Sequence, residues 1–520
     1  MPVIHTEDLK PGQLHPEVQH QVYCGLDCCL TLEIRQQLGR LFNEPPSIYS
    51  FERALQAPYM EIMQRGFRVD QLGREQAAAE LRQRREALQE TLNLFAQAIW
   101  HKPLNPRSPA QLKQFFYQAM GLPEVWISQK GIRKLSTNRE ALEKLDEKYL
   151  HPRPIIACIL AIRDIGKQLS VFEEEIDSDS RHRTSYNIAG TETGRPSSSE
   201  NAFGTGGNQQ NIAPGLRYVF IADQGWKLCV IDLEQVEARD VGYFCGVLFD
   251  DWSFLDACES GDLHTNNAKL VWPELPWTGE PTADRALAGR QFYREFSYRD
   301  MAKRGGHLSN YAGSAWMMSR ALKIPQKVAE EFQARYVSGN SPAYPCISKY
   351  WQWIAQEIQL NRLLVTPFGR KRHFFGRPGD ASTIREGIAF LPQSTTGDRM
   401  NLGLWRVWKH MPQVQLLAQT FDSITFQYED KGPEYEERII SEALERIQVE
   451  LVAPNGRRYV VPGEAKVGWN WASQVTQSDV DRALAQDRKP PRLNPEGLVK
   501  WKPGFRDSRS RRFGLDRIMR

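Results

Sequence analysis

The stretch WKLCVIDLEQVEARDVGYF, residues 226–244, decides the fold. It opens as an apolar run broken by one acid and passes into a helical pattern. The run 229–231 reads as a buried strand, which puts Asp232 at the strand's end. A carboxylate closing an apolar strand is costly unless it has a cation partner. Some 190 residues further on, VQLLAQTFDSITFQYED (414–430) reads as two strands around a tight turn, and Asp422 sits in that turn. Two such acids on different strands are what a two-metal site requires. Hard Mg²⁺ ions take oxygen ligands, keep several waters and are held by one or two carboxylates plus substrate phosphates. Such a pair of ions stabilises both the attacking and the leaving oxygen of an in-line phosphoryl displacement. Taken singly, either acid reads first as a turn or cap residue; a third element changes that.

In YRDMAKRGGHLSNYAG (298–313), Arg299, Lys303, His307 and Tyr311 recur every four residues. Four residues turn a helix by about 400°, so the four side chains form one slowly drifting stripe about 18 Å long. Its start is cationic and its end aromatic. A triphosphate could lie against Arg299 and Lys303 while sugar and base reach His307 and Tyr311. Read alone, this is a solvated basic face. Gly305 and Gly306 weigh against a purely structural helix, because each costs about 1 kcal/mol relative to Ala.

Outward from these motifs, 520 residues suggest about three or four structural units. With 41% hydrophobic and 25% charged residues the chain can bury a sizeable core, so disorder and collagen-like readings are excluded. Eight cysteines make no disulfide framework. The longest apolar run, IIACILAI at 155–162, is cut off by Arg163 and Asp164, so a soluble chain with no membrane partner is expected. No secretory signal opens the sequence, and a reducing cytoplasm is the default. Net charge is only +4, but residues 487–520 hold eleven Lys/Arg against four Asp/Glu, a basic tail readable as a nucleic-acid signal or a solvated terminus.

Residues 51–104 read as helix, broken at a glycine, and Ser108-Pro109 opens another helix. STNREALEKL starts a further one, capped by Ser136 or Thr137. Residues 184–215, rich in Gly, Ser, Thr and Asn, are loop or short strand; 285–360 are helical; LLVTPFGRKRHFF (363–375) is a hairpin.

With these residues in view, the chain resembles the family A, polymerase I-like DNA polymerases, over about residues 45–475. DLEQVEAR (232–239) is similar to motif A, residues 299–312 to motif B, and TFDSI (420–424) to motif C. TETGRPSSS (191–199), QNI (210–212), DLHT (262–265), TPFGRKR (366–372) and REGIAFLPQSTTGD (385–398) match further family segments in order. The resemblance implies an α+β right-hand fold with helical thumb, antiparallel-sheet palm and helical fingers. It divides the chain into an exonuclease-like remnant (1–45), thumb (46–183), palm with motif A (184–244), fingers (245–362), palm with motif C (363–486) and basic tail (487–520). It implies template-directed 5′–3′ DNA synthesis from dNTPs on primer-template DNA, with two Mg²⁺ ions or Mn²⁺ in their place.

By the same resemblance, Asp232, Asp422 and the carbonyl of Leu233 would hold metal. Arg299, Lys303 and His264 would contact the phosphates, with Lys303 donating a proton to pyrophosphate. Glu237 would exclude a ribose 2′-hydroxyl, beside Gln235 and His307 in the nucleotide site, and Tyr311 would close that pocket at the template base. Arg195, Gln210, Asn211, Arg385 and Gln393 would follow the DNA minor groove, whose nearly degenerate acceptors allow pair shape to be checked without reading sequence.

The departures are specific. His307 stands for Phe or Tyr, Ala312 for Gly, Phe421 for His, Ser423 for the second motif C acid and Ala389 for Asn. The third carboxylate is therefore missing, and such drift suggests a phage or mobile-element enzyme in a bacterial or phage-infected cell. VYCGLDCCLTLEI (22–34) resembles the last motif of the 3′–5′ proofreading exonuclease, giving Tyr23 and Asp27. A separate exonuclease polypeptide completed by this N-terminus is one expectation, a relic the other. Two rival readings are a single-subunit RNA polymerase, against which Glu237 argues, and a catalytically impaired DNA-binding replisome component, against which both acids, Arg299 and Lys303 argue.

Overall fold

The computed structural model describes residues 15–41, 47–129, 132–201, 204–293, 296–485, 490–507 and 509. At its centre stands the strand β2 (Trp226–Leu233), in a five-stranded antiparallel sheet ordered β5-β6-β2-β7-β8. The others are β5 (Gln415–Thr420), β6 (Ser423–Glu429), β7 (Gly463–Gly468) and β8 (Val499–Lys500). Strand side chains alternate between faces, and both faces of β2 are covered. Cys229, Ile231 and Leu233 enter the main core, whereas Leu228 and Val230 join a second cluster with Phe67, Leu169 and Trp471. Burial on two sides explains the unbroken apolar reading of the run. Asp232 alternates onto the Leu228 face.

The helices form two groups. On one side, α3 (Gln71–Trp100) packs along α4 (Arg153–Glu173), joined by apolar residues such as Leu92, Ala96, Ile155 and Ile159. On the other, α5 (Val236–Phe249), α9 (Pro345–Leu360) and α10 (Ala381–His410) wrap the main core. Helices α6 (Leu263–Val271), α7 (Tyr298–Asn310) and α8 (Gln326–Gln333), which come between α5 and α9 in the chain, pack into the same core. The hairpin expected near 363–375 is β3 (Leu363–Val365) with β4 (Lys371–His373). Two further N-terminal helices are α1 (Pro16–Leu41) and α2 (Ser47–Arg65).

The structure corrects four expectations. The segment 285–360, read as helical, holds the antiparallel strand pair Gln291–Tyr293 and Phe296–Ser297, whose cross-strand bonds replace helix there. Within 51–104, also read as helix, Phe67–Val69 is a strand, β1, between Arg181–His182 and Phe220–Ile221. Partners over a hundred residues away override the local helical pattern. The helix Arg139–Lys148 is capped by Asn138, not Ser136 or Thr137: the Asn138 side chain accepts from the Ala141 amide. The described part of 487–520 is no free tail, because β8 closes the sheet, Trp501 is buried and Lys227 pairs with Asp507 at 2.8 Å. Residues 487–489, 508 and 510–520 of that expected tail, and 1–14 and 42–45 of the expected exonuclease remnant, lie outside the described residues. Among the described residues no helix is long and apolar enough to cross a membrane.

Candidate active site

The register of the sheet brings the two acids together. Ser423 faces Asp232 across β6 and β2, and the Leu233 amide donates to the Asp422 carbonyl at 3.1 Å. Asp422 occupies the turn between β5 and β6, as its sequence reading required. Phe421, beside it, adopts a left-handed backbone with φ 53°, a conformation costing a bulky residue about 1–2 kcal/mol. The turn is held from below: Gln419 Nε2 donates to the Phe421 carbonyl at 2.8 Å, and Ser423 Oγ to the Thr420 carbonyl at 3.0 Å.

Neither acid forms an ion pair among the described residues. Burial, and then the neighbouring charge of Asp422, pushes the Asp232 carboxyl up to about 7. Burial raises Asp422 as well. On the other side of β2, Glu464 is in register with Asp232, but its charge is taken by Lys500 and by Lys466 at 3.3 Å. Among the described residues no three metal-ligating side chains cluster, in keeping with Ser423 in place of an acid. Two half-buried carboxylates held side by side without a cation fit a divalent ion, which would relieve their repulsion.

Beside Asp422 opens a cavity of about 230 Å³, lined by Asp422, Gln235, Glu237, His264, Lys303 and His307 among others. Most of its wall comes from three helices, with Phe254 and Tyr336 adding to it. Helix α5 begins at Gln235, itself at φ 52°, and puts Glu237 on its first turn. Helix α7 is started by a capping box, the Ser297 hydroxyl accepting from the Asp300 amide at 3.0 Å and the Asp300 carboxylate from the Ser297 amide. Gly305 and Gly306 have a packing reason: a Cβ would lie 2.8 Å from the Phe332 ring of α8 and 3.1 Å from the Tyr336 hydroxyl. Helix α6 is capped by Asp262 and carries His264.

Glu237 is held at both oxygens. Arg195 Nη2 donates to Oε1 and the Tyr311 hydroxyl to Oε2, each at 2.6 Å. Burial alone would raise this carboxyl, but Arg195 and Tyr311 hold it below its usual range, so it stays ionised. Arg299 grips Asp262 through Nε at 3.1 Å and Nη2 at 2.9 Å, leaving three of its five N–H donors. Lys303 forms no ion pair among the described residues. Burial first, then Arg299 and Lys303, depress His264 to about 4, so its ring is neutral at pH 7. His264 Nδ1 and Gln235 Oε1 are buried without hydrogen-bond partners. His307 lies edge-on to Tyr311 at 5.2 Å. Tyr311 ends α7 rather than continuing it, and Ala312 follows at φ 53°, a backbone that glycine adopts without strain.

The expected DNA-facing residues are divided. Asn211 and Arg385 are exposed and Gln393 is half-buried on α10. Gln210 points inward: its amide donates to the Pro196 carbonyl at 3.1 Å and to Gln419 Oε1 at 3.2 Å, supporting the Asp422 turn. Arg195 is tied to Glu237. Sequence reading missed several supporting residues. Arg370 bonds Asp398 at 2.8 Å and Glu52 at 2.6 Å and lies where a Cβ on Gly194 would go. Asn401 donates to the Gly194 carbonyl at 3.1 Å. Both fix the turn that carries Arg195. Motif TPFGR pointed at Arg370; nothing local pointed at Asn401.

A sheet carrying two carboxylates, flanked by two helical groups, defines a right-hand polymerase fold. The fold is shared with the POL domain of Pol1 from M. smegmatis, solved with DNA primer-template and dNTP. That match has a TM-score of 0.63 and 21% identity, covering 81% of this chain and 69% of the other. The family model for DNA polymerase family A matches residues 74–473, and the chain belongs to that family. It is 26% identical to the thermostable DNA polymerase I of Thermus filiformis over 90% of this chain and 54% of the relative. It is 27% identical to that of Thermus thermophilus over 62% and 37%, and 26% identical to DNA polymerase I of Helicobacter pylori over 76% and 42%. The chain spans about half the length, or less, of the curated relatives it matches.

Proposed function

We propose that this chain performs template-directed 5′–3′ DNA synthesis, joining a deoxynucleotide to a primer 3′-hydroxyl. The observation that carries this reading is Asp232 on β2 beside Asp422 in the adjoining turn, with Asp422 reaching a cavity walled by Lys303, His264 and Glu237. Asp232, Asp422 and the Leu233 carbonyl would hold two divalent ions, Mg²⁺ or Mn²⁺ as a substitute, which when bound lower the pKa of the primer hydroxyl and neutralise pyrophosphate. In the step, the primer 3′-oxygen loses its proton and bonds to the α-phosphorus, whose bond to pyrophosphate breaks. Lys303 binds the triphosphate and gives its proton to the departing pyrophosphate. His264, neutral, donates a hydrogen bond, and Arg299 uses its remaining donors. His307 and Gln235 flank the sugar; Tyr311 closes the pocket. Arg195, Asn211, Arg385 and Gln393 lie along the duplex, with Gln210 beneath them.

The proposed division is thumb over 46–183, palm over 184–244 and 363–486, and fingers over 245–362, with β8 from 487–520 added to the palm sheet. Primer extension on a 5′-overhang duplex with Mg²⁺, run with dNTPs and with rNTPs and beside Asp232→Ala, tests the reading. Extension by dNTPs alone, lost in the variant, is expected; tight duplex binding without extension would move the chain to the replisome-scaffold class.

Ionised Glu237, fixed at both oxygens, has the rigidity a sugar gate needs, and this favours DNA over RNA synthesis. Glu237→Ala should lower the dNTP/rNTP preference by about 10–100-fold, read from paired single-nucleotide kcat/KM values. An unchanged ratio places the gate elsewhere.

The N-terminal helix supports a partner nuclease. Helix α1 exposes Tyr23, Leu30, Ile34 and Leu38, at 48–64% each, with Asp27 exposed as well. A helix with so much bare apolar surface suits a seat on another protein. A 3′–5′ exonuclease subunit should co-purify and bind a peptide of residues 15–41; failure of both removes that partner.

A further inference from the structure

The hairpin of β3 and β4 presents a second surface beside the site. From Asn361 to Gly379 the chain has five Lys/Arg and no Asp or Glu. The ladder sets Leu363 opposite His373, Leu364 opposite Arg372 and Val365 opposite Lys371. Alternation therefore puts Leu364, Arg372 and Phe374 on one face and Leu363, Val365, Lys371 and His373 on the other. The first face is anchored. Leu364 and Phe374 are buried, Phe374 meets Phe390 of α10 edge-on at 6.3 Å, and Arg372 bonds Glu386 of α10 at 3.0 Å. The second faces water, and Phe375 continues it at 92% exposure, its ring stacked on His373 at 6.4 Å.

The charges follow the same division. Arg370 and Arg372 are paired with Asp398, Glu52, Glu386 and Glu192. Arg362, Lys371 and Arg377 form no ion pair among the described residues. An aromatic ring among unpaired cations, on a hairpin fastened from behind, matches the chemistry of single-stranded nucleic acid, whose bases stack on aromatics and whose phosphates need cations. A duplex would offer phosphates but hide its base faces, leaving Phe375 without a partner.

We infer that this outer face binds the unpaired template strand, Phe375 stacking on a base while Lys371 and Arg377 meet phosphates. The surface is continuous with the site. The hairpin leads into α10, which carries Arg385 on its second turn and, about 18 Å further along, Gly397, where a Cβ would lie 3.0 Å from Arg195. This inference rests on the DNA-synthesis reading.

Fluorescence anisotropy should compare a blunt hairpin duplex with the same duplex bearing a single-stranded 5′ extension of about ten nucleotides. The extension is expected to tighten wild-type binding. Phe375→Ala should lose roughly five- to ten-fold on the extended substrate and less than about twofold on the blunt one. Lys371→Ala and Arg377→Ala should each lower the salt slope on the extended substrate by about one unit. Because Phe375 is solvent-exposed, its replacement should leave the melting temperature unchanged, which separates binding from folding. An extension that does not tighten wild-type binding overturns the inference. So does an increment that survives Phe375→Ala, or equal weakening on both substrates. If wild type extends primers and the increment survives, this inference alone fails; if wild type neither binds nor extends the duplex, the parent reading fails.

Discussion

Asp422→Ala should reduce nucleotide incorporation on the order of a thousandfold or more while leaving primer-template affinity within a few fold. The size follows from the small number of ligands. Ser423 stands where a further acid would be, and Glu464 is already neutralised by Lys466 and Lys500, so no neighbouring carboxylate takes over. Pre-steady-state incorporation beside a binding titration separates the two quantities; residual synthesis near the wild-type rate would end the two-carboxylate assignment. The intact pair also carries a pH signature. Asp232 is pushed up to about 7, so below that pH a divalent ion must expel a proton to bind. Affinity for Mn²⁺ should fall roughly tenfold per pH unit below 7 and level off above it. For stability the sign is reversed: a carboxyl raised in the folded state makes the metal-free protein lose stability as pH climbs from about 3.8 to 7. In Asp422→Asn the neighbouring charge is gone, so the break should move to lower pH.

Asp240→Ala should destabilise the protein by about 3–5 kcal/mol without touching the cavity. Asp240 and Arg399 are both fully buried, 3.0 Å apart, joining α5 to α10. The Thr396 and Tyr459 hydroxyls each donate to Asp240 at 2.9 Å, and Arg399 also donates to the Val449 carbonyl at 2.7 Å. Removing the carboxylate strands a guanidinium in the core, and that loss exceeds the worth of the bond itself. The double variant Asp240→Leu/Arg399→Met should recover most of it, because two apolar groups leave no orphan charge. Urea unfolding of the single and double variants decides; a single variant within about 1 kcal/mol of wild type would mean that water reaches Arg399.

What was legible in the sequence was what short spacing controls. The strand ending near Asp232, the turn at Asp422 and the α7 stripe all follow from side-chain period and turn chemistry within about fifteen residues. The strand β1 was illegible because its three residues owe their conformation to partners beyond residue 180. The same holds in the site. Gln210 looked like a DNA contact, yet it faces Gln419, more than two hundred residues on. Arg299 reads as a phosphate contact, and Asp262, at the start of another helix, already takes two of its donors. Glu464 beside Asp232 had no motif to announce it. Family motifs found the residues; only the fold showed which of their polar atoms were already engaged.

The order of strands in the sheet has a consequence for synthesis of the protein itself. Central β2 is made early, but β6 comes almost two hundred residues later and closing β8 near residue 500. On the ribosome, α3 and α4 can pair while β2 still lacks both neighbours. The emerging chain therefore carries an apolar strand with two open edges through more than a third of its translation, the stage at which such edges invite mispairing. Contacts of this sequence separation also close slowly. Asp232 and Asp422 are thus strangers for most of the chain's birth, and the proposed site assembles only when the sheet is nearly whole.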